Sequence, residues 1–214
     1  MNPPPHILVC FALKEEAGTF RKFAANRADI TTVLTGIGRK NAAAALGERL
    51  KSGAVQRVFT CGFAGGLSLE LKLGDVMFET ADAGLRDQLL SAGAKSAKFI
   101  CAARIATTAA EKAELRRTTA ADAVEMESEA IHAVCRERGI PCATVRVISD
   151  TAHEDLPLDF NALANADQSL NYGKLALAIA KSPGKIPALM RLQKQTEFAA
   201  AQLAEILGKV IGPE

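Results

Sequence analysis

Tryptophan is absent from this 214-residue chain, and aromatic residues of every kind amount to 5%. No basic run interleaves with aromatics, so a base-stacking platform for nucleic acid is excluded. The 26 basic and 24 acidic side chains are scattered and leave a formal net charge of +2, which favours neither a nucleic-acid nor a membrane partner. No apolar stretch approaches the length of a membrane span, so no stable membrane anchor is expected. The start, Met1-Asn2-Pro3-Pro4-Pro5-His6, lacks the charged region of a secretory signal and is followed by a short apolar run from Ile7 to Leu13. Residues 1–6 are expected to be flexible. The five cysteines (Cys10, Cys61, Cys101, Cys135, Cys142) are odd in number and lack CxxC spacing. They read as small buried hydrophobes in a reducing compartment, which points to the cytoplasm. Three isolated histidines offer no metal-ligand cluster.

What is present suits a folded protein: 49% hydrophobic and 23% charged residues. The length fits one domain over residues 1–214. Strand-like runs at Ile7–Leu13, Ile30–Thr35, Val55–Cys61, Val76–Glu79, Lys98–Ile105 and Cys142–Ile148 alternate with helical patterns at residues 14–25, 41–50, 84–93, 109–117 and 128–135. Two further helices are expected at Tyr172–Ala180 and Ile186–Leu207, broken at Ser182-Pro183-Gly184. The alternation predicts an α/β fold, a single central sheet layered by helices.

Acids and glycines gather at the ends of these runs. The stretch Val124-Glu125-Met126-Glu127 leads into a helix and then a strand ending at Ser149-Asp150. Read as a parallel βαβ unit, it would bring Glu127 and Asp150 to one sheet edge, where α/β folds bind ligands. Glu16 lies just past the first strand. Gly36-Ile37-Gly38-Arg39-Lys40-Asn41 has Asn41 where a dinucleotide fingerprint needs its third glycine, and Gly62-Phe63-Ala64-Gly65-Gly66 has no Lys-Ser/Thr tail and is not a P-loop. The second segment reads as a glycine loop in which backbone comes close to a ligand. Three strand-end carboxylates around glycines suit acid/base cleavage of a polar bond in a small molecule. On its own each acid would more often cap a helix than catalyse, so the case rests on their combination.

Together these segments resemble the purine nucleoside phosphorylase and nucleosidase superfamily. The motifs are Phe11-Ala12-Leu13-Lys14-Glu15-Glu16, Thr35-Gly36-Ile37-Gly38, Gly62-Phe63-Ala64-Gly65-Gly66-Leu67, Lys72-Leu73-Gly74-Asp75-Val76, Val124-Glu125-Met126-Glu127 and Ile148-Ser149-Asp150-Thr151-Ala152. The likeness is strongest to bacterial methylthioadenosine/adenosylhomocysteine nucleosidases. The tail, with Asn171-Tyr172-Gly173-Lys174 and Ser182-Pro183-Gly184-Lys185, is also similar to hopanoid-associated phosphorylase-like proteins, which act on adenosylhopane. The resemblance implies a mixed, partly barrel-like central sheet flanked by helices, with no metal or organic cofactor, and a homo-oligomer, expected to be a dimer.

By the same resemblance Glu16 would deprotonate the attacking water and Asp150 would protonate N7 of the departing purine. Glu127 would accept the ribose hydroxyls over Met126, and Glu125, Gly65, Phe63, Ser149 and Ile37 would complete the nucleoside site. Phe63 stands where those nucleosidases carry a small hydroxyl residue, and Arg104-Ile105-Ala106-Thr107-Thr108 replaces their adenine-stacking aromatic. Asp150 is expected to carry a proton at neutral pH, which burial or a neighbouring negative charge would arrange. The implied activity is hydrolysis of a 5′-modified adenosine of the methylthioadenosine, adenosylhomocysteine or adenosylhopane type. Two alternatives stay open: a phosphorylase that anchors phosphate on Arg57 and Thr60, and a nucleoside-binding module without catalysis.

Overall fold

Five consecutive apolar residues, Ile7–Phe11, form strand β1, and all five are buried, the pattern of a strand covered on both faces. The computed structural model describes residues 6–165 and 171–212. After β1 come α1 (Lys14–Phe23), β2 (Ile30–Leu34), α2 (Arg39–Arg49), β3 (Arg57–Gly66), β4 (Val76–Thr80) and α3 (Ala83–Ala92). Then follow β5 (Lys95–Ser96), β6 (Phe99–Cys101), α4 (Ala109–Thr119), β7 (Ala123–Glu125), α5 (Ser128–Glu137) and β8 (Cys142–Asp150). Two helices close the chain, α6 (Tyr172–Lys181) and α7 (Ile186–Ile211).

The sheet runs β2-β1-β3-β8-β4-β5. The first four strands are parallel, and β4 is antiparallel to β8. Side chains alternate between the faces with period two. Val9, Phe11, Phe59, Val145 and Val147 meet Phe20 of α1, Leu85 and Leu89 of α3, and Leu203 and Leu207 of α7. The intervening Leu8, Cys10, Val58 and Cys142 meet Ala42 and Leu46 of α2 and Ile131 and Cys135 of α5. All five cysteines are buried free thiols, in line with their reading as small hydrophobes.

The sheet then curls. The far end of β3 pairs antiparallel with β7, Gly65 opposite Val124 and Gly66 opposite Ala123. β7 pairs in turn with β6, which continues the chain from β5 across Ala97 and Lys98. Strands β3, β8, β4, β5 with β6, and β7 therefore close a ring around Ala64, Met77, Ala97, Ala123 and Ile148. This is the mixed, partly barrel-like sheet that the sequence suggested.

Three expectations need correction. Residues 62–66 are not a loop but the second half of β3, paired with β8 and then β7; their glycines serve close packing between strands. The strand at residues 98–105 is confined to Phe99–Cys101. The parallel βαβ unit across residues 124–150 does not form. β3 is parallel to β8 but antiparallel to β7, so β7 and β8 run in opposite directions. Glu127 and Asp150 reach the same region because β3 spans from one to the other. The expected flexible start falls outside the described residues except for His6, whose Nε2 bonds Thr31 Oγ1 at 2.9 Å.

Candidate active site

Parallel strands β1, β2, β3 and β8 share one direction, with Glu16 just after β1, Asp150 at the end of β8, and Glu127 brought in after β7. Glu16 sits in the first turn of α1, directly after β1. Its Oε2 takes the backbone N–H of Leu13 at 2.9 Å and its Oε1 that of Phe63 at 2.8 Å, so it caps the helix and also ties α1 to β3. The residue is 4% exposed. Burial raises its carboxyl to about 7, against a lowering by Arg146 and a further rise from Glu127. A carboxyl in that range can exchange a proton at neutral pH.

Glu127 precedes α5. Its Oε1 accepts the backbone N–H of Gly38 at 2.8 Å, so the turn after β2 presents its amide to a carboxylate of this chain. That is the use to which the Gly36-Ile37-Gly38 segment is put, with Ile37 half-buried beside it. Glu127 Oε2 meets Arg146 Nη2 at 3.1 Å. Burial raises the Glu127 carboxyl more than Arg146 lowers it, and Glu125 adds to the rise. Each of its oxygens keeps a lone pair for a further donor.

Arg146 is the hub that sequence reasoning missed. It is 1% exposed, in the middle of β8. Its guanidinium bonds Glu125 Oε2 at 2.6 Å, Glu127 Oε2 at 3.1 Å, Thr60 Oγ1 at 3.3 Å and the Cys61 carbonyl at 3.3 Å. Glu16 lies close as well: a Cβ placed on Gly62 would sit 2.5 Å from Glu16 Oε1 and 2.6 Å from Arg146 Nη1. Only glycine fits there. Burial works against the charge on Arg146, but Glu125, Glu127 and Glu16 outweigh it and raise its pKa further. Its Nε alone has no acceptor among the described residues. The signal was present in Val145-Arg146-Val147, because a charge inside a strand buried on both faces needs partners.

Glu125, expected among the substrate ligands, is committed elsewhere. Its Oε2 accepts the backbone N–H groups of Glu127 and Ser128 at 3.0 and 2.8 Å besides Arg146, and its Oε1 accepts Ser128 Oγ at 2.6 Å. Burial acts to raise this carboxyl, but Arg146 and Ser128 prevail and it titrates below its ordinary range. It anchors Arg146 and the start of α5.

Asp150 ends β8 opposite Gly65, past a bulge between Ala64 and Gly65. A Cβ on Gly65 would stand 3.3 Å from Asp150 Oδ2. Gly62 and Gly65 are three residues apart in β3, on the order of 10 Å, a span that the sugar and base of a nucleoside can fill. Asp150 Oδ1 accepts Ser149 Oγ at 2.8 Å, so Ser149 orients it. Its nearest charged partner is not a carboxylate: Oδ2 pairs with the ammonium of Lys112 at 2.5 Å. Lys112 is wholly buried, and nothing in Ala110-Glu111-Lys112-Ala113-Glu114 distinguishes it from a solvated lysine.

Met126 and Phe63 are half-buried beside these groups. Arg57 is not brought to the site: it opens β3 at the opposite edge and bonds Gln88 Oε1 at 3.2 Å. Thr60 is at the hub, through Arg146. A cleft of about 150 Å³ beside Asp150 is lined by Glu154, Leu156, Pro157, Arg191, Leu192 and Gln195 among others. Asn161 ties down residues 104–106 by pairing both backbone groups of Ile105, at 2.9 Å each. A larger groove between α3 and α7, lined by Asp87, Gln88 and Lys209 among others, lies away from the buried acids.

A family model of the phosphorylase superfamily matches residues 12–87 and 78–181. A 5′-methylthioadenosine/S-adenosylhomocysteine nucleosidase of Shewanella halifaxensis is 26% identical, over 62% of this chain and 73% of that protein. Among solved structures, the Helicobacter pylori enzyme of the same name superposes with a TM-score of 0.73 at 17% identity, covering 97% of each chain. The Neisseria meningitidis enzyme gives 0.72 at 21% identity, covering 96% of this chain and 98% of that one. Futalosine hydrolase of Helicobacter pylori gives 0.70 at 17% identity, covering 95% and 97%.

Proposed function

We propose, from the premise that this chain belongs to the phosphorylase superfamily, that it is a nucleosidase hydrolysing the N-glycosidic bond of a 5′-modified adenosine. The observation that carries this is the pair of buried carboxylates, Glu16 and Glu127, facing Arg146 at one end of the β3 glycines, with Asp150 at the other. Cleaving an N-glycosidic bond builds positive charge on the sugar and negative charge on the base. Carboxylates beside the sugar stabilise the first, and a proton delivered to the base neutralises the second.

In this reading Glu127 accepts the ribose hydroxyls, with Met126 beneath the sugar and Phe63 and Ile37 around it. Glu16 takes a proton from water. Asp150, held by Ser149, hands a proton to N7. The nucleosidase relatives act on methylthioadenosine and adenosylhomocysteine, which supports adenosine with a 5′-thio substituent as the substrate class. A homodimer in the cytoplasm completes the reading, and sedimentation of the purified protein tests the dimer.

Hydrolysis is favoured over phosphorolysis on charge. Three carboxylates surround a single guanidinium, a balance that repels phosphate, and Arg57 is at the wrong end of its strand. Incubation with 5′-methylthioadenosine in phosphate-free buffer should release adenine at a rate that added phosphate does not change. Absolute dependence on phosphate would establish the phosphorylase instead, and no adenine under either condition would leave a binding module.

A further inference from the structure

Lys112 is fully buried on α4, while its neighbours Ala113 and Glu114 are exposed. Burying a lone ammonium costs several kcal/mol unless every N–H finds an acceptor. Here three donors meet three acceptors: Asp150 Oδ2 at 2.5 Å, the Thr151 carbonyl at 2.8 Å and the Glu154 carbonyl at 2.8 Å. Gly65, lacking a side chain, leaves room for the pair, its Cβ position lying 3.7 Å from Lys112 Cε. The mechanism above uses Asp150 but gives Lys112 no part.

The acceptors are chemically unequal. Two are backbone carbonyls, which cannot take up a proton near neutral pH. The third is a carboxylate, so the one proton Lys112 can surrender goes to Asp150. A neutral Lys112 amine keeps two N–H groups for the carbonyls and turns its lone pair toward the protonated Asp150. The geometry accommodates both states without moving a heavy atom.

We propose that Lys112 is the positioning residue that supplies the proton Asp150 delivers to the leaving base. The inference rests on the nucleosidase reading and deepens it. As the bond from C1′ to N9 breaks, its electron pair leaves with the purine, and the proton that the Lys112 ammonium passes to the Asp150 carboxylate moves on to N7. Asp150 is then a carboxylate again and Lys112 a neutral amine. Water forms the new bond to C1′ and gives its proton to Glu16. The summed charge of Lys112, Asp150 and Glu16 is unchanged, and solvent later returns the proton from Glu16 to Lys112. Lys112 thus solves the problem posed by an acid that rests as an ion pair.

The test compares two substrates with the same sugar: 5′-methylthioadenosine, whose base needs a proton to leave, and 4-nitrophenyl 5-methylthio-β-D-riboside, whose nitrophenolate leaves without one. Wild-type protein, Lys112→Met and Lys112→Arg are assayed on both. Arginine keeps the positive charge but does not give up its proton. Both variants should lose roughly 10²-fold in kcat on the nucleoside and less than about threefold on the nitrophenyl riboside, as expected of a lost proton source. The ratio of the two rates does not depend on the fraction of variant that folds. Equal losses on both substrates would reduce Lys112 to a structural role and overturn the proposal. So would a Lys112→Arg enzyme as active as wild type on the nucleoside, since a counter-ion would then suffice. A wild-type protein that cleaves neither substrate, or the nitrophenyl riboside alone, would instead defeat the nucleosidase reading and take this inference with it.

Discussion

Replacing Glu16 with glutamine should stabilise the protein at pH 8 relative to pH 5 while removing its activity. The Glu16 carboxyl titrates at about 7 in the folded chain, against 4.5 for the ordinary group. Because the folded value is the higher one, the folded state holds the proton more tightly than the unfolded state. The Glu16 contribution to wild-type stability is therefore greatest at low pH and falls as pH rises from about 4.5 to 7. Each pKa unit is worth about 1.4 kcal/mol, so the loss between pH 5 and pH 8 comes to roughly 2.5 kcal/mol. Glutamine has no such titration. It retains one acceptor of two, so the Phe63 or the Leu13 amide loses its partner at a cost of roughly 1–3 kcal/mol at either pH. Urea unfolding at both pH values isolates the titration as the change in the difference between variant and wild type. A change near 2.5 kcal/mol in favour of the variant at pH 8 is expected, with kcat lowered by about 10²–10⁴. A difference that stays constant within about 0.5 kcal/mol would show that the Glu16 carboxyl is not perturbed by burial, and the base assigned to neutral pH would be lost.

Arg146→Met leaves Glu125, Glu127 and Glu16 buried without their cation. It should cost about 3–5 kcal/mol, less at pH 5 than at pH 8 because the carboxyls can then protonate, as thermal unfolding at the two pH values would show. Gly62→Ala puts a methyl 2.5 Å from Glu16 Oε1 at a backbone φ of +151°. It should lower kcat by more than about 10² and stability by roughly 2 kcal/mol, both read on one purified sample. Asp150→Asn keeps the shape of the site but cannot carry the proton; kcat should fall at least about 10²-fold with KM within about threefold.

The sheet was legible because its long strands are apolar runs, and Ile7–Phe11 and Cys142–Asp150 fall where hydrophobicity puts them. The direction of β7 was not, because Ala123–Glu125 is too short to carry periodicity and its pairing is set by β3. Glycines 62, 65 and 66 looked like a loop because a sequence cannot show that neighbouring side chains, Glu16 and Arg146 at one and Asp150 at another, fill the space a Cβ would take. The acids Glu16, Glu127 and Asp150 were visible as strand-end residues. Their cations were not, since Lys112 sits in a charged helix whose other faces are solvated and only tertiary packing buries it. Arg57 shows the converse: placed by likeness to phosphorylases, it lies at the edge of the sheet opposite the acids.

The central claim is that a nucleoside lies along the β3 glycines, sugar toward Glu127 and Glu16 and base toward Asp150. A crystal structure of the Asp150→Asn protein with 5′-methylthioadenosine tests it most directly. The account predicts ribose hydroxyls within hydrogen-bonding distance of Glu127, a water between Glu16 and C1′, and purine N7 beside residue 150. A ligand seated in the groove between α3 and α7, or with its base turned away from residue 150, would contradict it.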